Sequence, residues 1–230
     1  MDKRISLITA MALCTLFANA QQKEPAAGST SFGLRAGVNF NNIYGKNSNG
    51  DDLKNDILTG YNVGINAEIP VAPQFYFQPG VLFTIKGAKS KDVVLGQTYN
   101  SSTKISYVEV PLNFLYKPLL GSGHLLLGFG PYVAFGAGGK AKYEGPGLNS
   151  TEQIKFKNTV KIADPNNITY IKPFEAGAGM LAGYEFSNKL SLQLNAQIGL
   201  TEINPKYEGS SNDKTSAKNI GFGFSMGYRF

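Results

Sequence analysis

The chain has 230 residues, a formal net charge of +6, 27 glycines and only 17% charged residues. Soluble domains carry roughly 25% charged residues, so this composition argues against a surface that meets water on every side. No apolar run reaches the ~18 residues a transmembrane helix needs, which leaves a closed β-barrel as the form in which such a chain can cross a membrane.

Residues 1–20 read as a secretory signal peptide. Lys3 and Arg4 form its basic start, residues 5–17 its apolar run, and Ala18-Asn19-Ala20 a small-residue cleavage site. Cys14, the one cysteine, lies inside this segment behind Leu13, which is too large for a lipoprotein site. The fold beyond it is therefore expected to use no disulfide. Residues 21–31 are read as a short periplasmic leader and 32–230 as the folded domain.

Eight segments of the domain alternate apolar and polar residues with period 2. The first sets Phe32, Leu34, Ala36, Val38 and Phe40 against Gly33, Arg35, Gly37 and Asn39. The second sets Tyr61, Val63, Ile65 and Ala67 against Asn62, Gly64, Asn66 and Glu68, and the third sets Phe77, Val81, Phe83 and Ile85 against Gln78, Thr84 and Lys86. The fourth has Val108, Val110, Leu112, Phe114 and Tyr116 on one face, with Tyr107, Glu109, Asn113, Leu115 and Lys117 on the other. Segments near 125–135, 174–186, 190–200 and 220–230 repeat the plan; their polar faces carry His124, Tyr132, Glu175, Glu185, Gln193, Gln197 and Arg229.

Connections after the even segments are short, and those after the odd ones are long, at roughly 44–59, 88–103, 138–172 and 203–217. Short periplasmic turns and long outer loops are the plan of outer-membrane barrels. The expected fold is thus all-β: an eight-stranded antiparallel up-and-down transmembrane β-barrel. A soluble barrel of lipocalin type has the same period, but its outer face would be rich in Lys and Glu. Here the polar face is mostly Gly, Asn, Gln and Ser, which suits the narrow interior of eight strands. Phe32, Tyr61, Phe75, Tyr116, Phe186 and Tyr228 fall near strand ends, where an aromatic girdle would lie.

Two sets of interior charges are expected. Arg35 and Arg229 are predicted to pair with Glu68 and Glu185 across the lower lumen, and Lys86, Glu109 and Glu175 to fill the upper lumen. In 138–172, Lys140, Lys142, Lys155, Lys157 and Lys161 outweigh the acids and are expected to face lipopolysaccharide phosphates. The one histidine, His124, is read as a structural turn residue. With no second histidine, Ser-His and Cys-His pairs have almost no candidates. Asp51, Asp52 and Asp56 lack the spacing of a calcium loop and are read as a solvated loop. No basic stretch interleaves with stacking aromatics, so nucleic acid is not an expected partner. No metal or cofactor is expected.

The stretches GLRAGVNFNNI (33–43), FQPGVLFTIKGAKS (77–90), YVEVPLNFLYKP (107–118), LGFGPYVAFGAGGK (127–140), AGAGMLAGYEFSNKLSLQLNAQIGLTEINP (176–205) and IGFGFSMGYRF (220–230) come in a particular order. In this the chain resembles the outer-membrane β-barrel domain family of Bacteroidota, often named PorT-type. The resemblance implies an integral outer-membrane location and an end at Phe230 that the barrel-insertion machinery would read. The family's name comes from a member needed for type IX protein secretion, and it has no shared catalytic motif. The expected function is a non-enzymatic barrel that presents long outer loops to an envelope or secretion partner. A small pore or transport protein is the alternative, and a lipid-modifying barrel enzyme is disfavoured.

Overall fold

The computed structural model describes residues 28–209 and 213–230; the expected signal peptide and most of the leader lie outside them. The strands are β1 (Ser31–Lys46), β2 (Leu58–Ala72), β3 (Phe75–Val94), β4 (Gln97–Tyr116), β5 (Leu119–Leu120), β6 (Gly123–Gly145), β7 (Leu148–Phe156), β8 (Thr159–Val160), β9 (Thr169–Ile171), β10 (Phe174–Glu185), β11 (Leu190–Gly199), β12 (Lys206–Tyr207) and β13 (Ser216–Arg229).

Eight of them close a ring in the order β1, β2, β3, β4, β6, β10, β11, β13 and back to β1, antiparallel at every step. Closure leaves no free sheet edge in the wall. The whole sheet has eleven strands rather than the eight expected, because β5, β7 and β9 attach to it. Much of what reads as outer loop is in fact strand. Residues 88–103 are the far halves of β3 and β4, joined by a two-residue turn at Leu95 and Gly96, and β6 and β7 form a second projecting hairpin. In these halves both faces carry polar residues, so the hydrophobic alternation fades while the hydrogen-bond ladder continues. The turns at the opposite end are short, as between β2 and β3, where Gln74 takes a φ of 68°.

The wall is inverted relative to a soluble protein. Phe32, Leu34, Tyr61, Ile65, Phe129, Met180, Leu194, Phe222, Phe224 and Met226 all point outward and are exposed. Glu68, Glu109, Glu175 and Lys86 are each 2% exposed or less. An apolar girdle of this extent in water would far exceed the patches that monomeric soluble proteins tolerate. Aromatic pairs line the rim near the short turns: Phe75 stacks on Tyr116 at 4.8 Å, and Tyr228 meets Phe230 edge-on at 5.7 Å.

The interior is layered. Near the short turns, Leu115, Leu126 and Leu181 form a small apolar group on one side of the lumen. At the far end, Ile105, Tyr107, Tyr132 and Ala134 from the wall pack with Ile154, Ile171 and Ile203 from the segments that fold over it. Phe156 of β7 lies on the inner face of Gly136, where a Cβ would come within 2.1 Å of its ring. That glycine lets β7 settle into the mouth of the ring.

Candidate functional site

The polar residues of the lumen gather in two clusters. At the lower end, Glu68 sits opposite Ser31 in the β1–β2 ladder. Lys117, just past β4, places its Nζ 3.0 Å from Glu68 Oε2 and 2.8 Å from Glu185 Oε1. Arg229 Nε lies 3.0 Å from Glu185 Oε2, and its Nη2 pairs with Glu68 Oε1. Gln78 Nε2 donates to Glu68 Oε1 at 3.0 Å, and Arg229 Nη1 donates to Ser31 Oγ at 3.3 Å. Two carboxylates and two cations thus neutralise each other in a closed square. Most of their lone pairs and protons are satisfied, the condition under which buried charge is tolerated.

Arg35 is not part of this square, contrary to expectation. The register sets Arg35 opposite Gly64 and Gly227, four residues along β1 from Ser31. At about 3.4 Å per residue that is roughly 14 Å from the level of Glu68, too far for contact. Lys117 takes the place expected for Arg35. Alternation already sets Lys117 on the polar face, but only the pairing register shows that it reaches Glu68. Arg35 instead borders a cavity of about 30 Å³ together with Asn39, Asn62, Thr84, Glu109 and Gln197.

The upper cluster centres on Lys86. Its Nζ is 2.8 Å from Glu109 Oε2, 3.2 Å from Glu175 Oε1 and 4.1 Å from the centre of the Tyr132 ring. Tyr132 donates its hydroxyl to Glu175 Oε1 at 2.6 Å, and Asn219 Nδ2 donates to Glu175 Oε2 at 2.6 Å. Gln197 Nε2 donates to Glu109 Oε1 at 2.6 Å. Gly177 makes room for Tyr132, since a Cβ there would lie 2.6 Å from its ring. The supporting amides Gln78, Asn219 and Gln197 carry no sequence signal beyond their place on the polar face.

The five lysines of 138–172 expected to face phosphates divide, and the sixth in the stretch, Lys172, lies 3.9 Å from Glu202. Lys140, Lys142 and Lys155 are exposed residues of β6 and β7, not of a loop. Lys157 and Lys161 instead surround Asp164: Lys157 Nζ is 2.5 Å from Asp164 Oδ1, and the Lys161 amide donates to Asp164 Oδ2 at 2.9 Å. The hydrogen bond from Lys157 holds the Asp164 carboxyl below its usual range. Lys142 pairs with Glu144 at 2.5 Å. Lys104 stands directly across the ladder from Lys140, and Lys89 and Lys142 flank Ser102. His124 is the second residue of β6, opposite Leu119 and Glu185. Asp52 pairs with Lys46 at 3.0 Å. Among the described residues, no three His, Cys, Asp or Glu side chains gather as a metal site would require.

The model of the outer membrane protein beta-barrel domain family matches residues 19–204. The chain belongs to that family. The inverted wall and closed ring are therefore those of an outer-membrane β-barrel protein. The family match stops short of β13, the strand that pairs with both β11 and β1 and closes this barrel.

Among solved structures, the barrel is similar to Ail, the attachment invasion locus protein of Yersinia pestis, crystallised with the heparin analogue sucrose octasulfate. The identity is 14% over 88% of this chain and 100% of that one, with a TM-score of 0.40. It is also similar to Neisserial surface protein A, NspA, at 12% identity over 88% and 100% with a TM-score of 0.43. A major outer membrane protein from Thermus thermophilus matches at 18% identity over 88% and 100%, with a TM-score of 0.48. These scores are too low to add to the family assignment. No curated protein matches the chain.

Proposed function

We propose that this barrel crosses the outer membrane as a sealed, non-enzymatic eight-strand wall, and that it acts through the sheet it projects outward toward an envelope or secretion partner. The stacking of the interior supports this reading most. A neutral square of ion pairs occupies the lower lumen, the Lys86 cluster fills the next level, and an apolar group closes the mouth. Eight strands leave an interior about wide enough for side chains alone, and these side chains are engaged with each other rather than with a free path. The projecting β3–β4 and β6–β7 hairpins carry the accessible surface, with Leu95 and Val93 exposed near one tip.

In this reading the signal peptide directs export, the short turns face the periplasm and the hairpins face outward. A tag inserted near Asn149 is expected to be labelled on intact cells, and one in the 187–189 turn is not; equal labelling defeats the topology. Purified protein in liposomes is expected to give no swelling with small sugars, and rapid protein-dependent swelling would favour a pore. The partner itself is sought by crosslinking in intact cells followed by co-purification. Capture of type IX secretion components would support the association that the PorT-type resemblance implies.

A further inference from the structure

We propose that the outward face of the β3–β4–β6–β7 sheet is a platform for the phosphorylated headgroup of an outer-leaflet lipid. The inference rests on the outer-membrane placement above. Six lysines share this face: Lys89, Lys91, Lys104, Lys140, Lys142 and Lys155. In the β4–β6 ladder Lys104 is directly opposite Lys140, and Ser102, one outward position further, is opposite Lys142 on one side and Lys89 on the other. Lys155 lies two residues from Gln153, which pairs with Lys140 from β7.

The same outward face, followed down β4, passes Ser106 and reaches Val108, whose ladder partner Phe135 is also exposed. Lys104 is therefore only four residues from the apolar wall, about 14 Å along the strand. The lysines line the continuation of the lipid-facing wall, not the tips of the hairpins. A ligand there must lie beside the barrel at headgroup height.

Like charges directly across an antiparallel pair destabilise it. The acids near this face do little to relieve the pair. Glu144 engages Lys142, and Asp56 meets β3 through a backbone bridge to Lys89; neither makes an ion pair with Lys104 or Lys140 among the described residues. Directly opposed residues have Cα atoms about 4.5–5.5 Å apart, so both ammonium groups can converge on one phosphate. A phosphomonoester carrying nearly two negative charges suits that arrangement, and acyl chains on the same molecule would lie along Val108 and Phe135. Free inorganic phosphate offers the same headgroup chemistry without the chains.

The test uses the full protein in phosphatidylcholine nanodiscs containing diphosphoryl lipid A, with native mass spectrometry reading the lipid retained. The wild-type protein is expected to retain lipid A. Lys104→Gln with Lys140→Gln should weaken retention roughly tenfold or more, as expected for two lysines near a charged lipid surface. Lys157→Gln with Lys161→Gln, on the segment around Asp164, should leave it unchanged. Millimolar inorganic phosphate should not displace the lipid; full displacement would mean that the site takes phosphate alone and would overturn the lipid assignment. Undiminished retention by the Lys104 and Lys140 variant, or an equal loss in the Lys157 and Lys161 variant, would overturn the platform itself. Lys142→Gln with Lys155→Gln gives an independent arm should the first pair fail to fold, and it too is expected to lose lipid. None of these substitutions touches the lumen, so sugar swelling and surface labelling still report separately on the sealed barrel.

Discussion

At the scale of single residues, the lower square makes the sharpest demands. Glu68 accepts from Lys117, Arg229 and Gln78 at 1% exposure. Replacing it with Ala leaves Lys117 and Arg229 to share the single carboxylate of Glu185, an uncompensated charge that costs up to roughly 3–5 kcal/mol. Chemical denaturation of the refolded barrel measures this loss. In double-mutant cycles, Glu68→Ala should couple with Arg229→Ala and with Lys117→Ala, while its combination with Arg35→Ala should be additive. That contrast marks what the sequence can and cannot disclose. Alternation puts Glu68, Lys117, Arg229 and Arg35 on one face, because the side-chain period of a strand is fixed. It does not give the relative height of residues on neighbouring strands, because register depends on how the turns set each pairing. Lys117 therefore takes the place expected of Arg35 once the ladder is known. Asp164 supplies a pH signature outside the wall. Its carboxyl is held low, so its contact with Lys157 is fully in force above the ordinary carboxylate value and is lost as pH falls through the lowered one. Hydrogen exchange around 157–164 should rise in that acidic window while the wall stays protected.

Among the elements, the strands of the wall are readable from period 2 because one face meets lipid and the other a polar lumen. Their projecting halves are not readable in this way, since water bathes Lys89, Lys91, Lys104 and Lys142 and no alternation is required of them. The small β7 and β9 carry Ile154, Phe156 and Ile171 into the mouth of the ring, a role that no local pattern announces. Gly136 makes this docking possible, and Gly136→Ala should loosen β7 without unfolding the wall. Faster proteolysis within 148–171, with unchanged strand content by circular dichroism, is the expected result. The turn between β3 and β4 holds Leu95 at a φ of 51°, fully exposed. A left-handed backbone suits Asn better than Leu, so Leu95→Asn should raise stability slightly, by up to about 1 kcal/mol.

For the whole molecule, the closed ring joins residues that are far apart along the chain. Ser31 and Arg229 touch although 198 residues separate them, and β1 and β13 meet along their length. Such a contact carries the loop-closure entropy of nearly the entire domain, which places it among the slow events of folding. Until it forms, both strands have open edges able to pair with any extended neighbour. Arg229 then acts as a clasp, binding Glu68 and Glu185 on strands that have already found their partners. A clasp fastened after the rate-limiting step changes the rate of opening rather than that of closing. Arg229→Ala should therefore insert and fold at nearly the native rate yet come apart faster, as heat-modifiable gel migration over time would record. The durability of this barrel is then a matter of how long its seam stays shut.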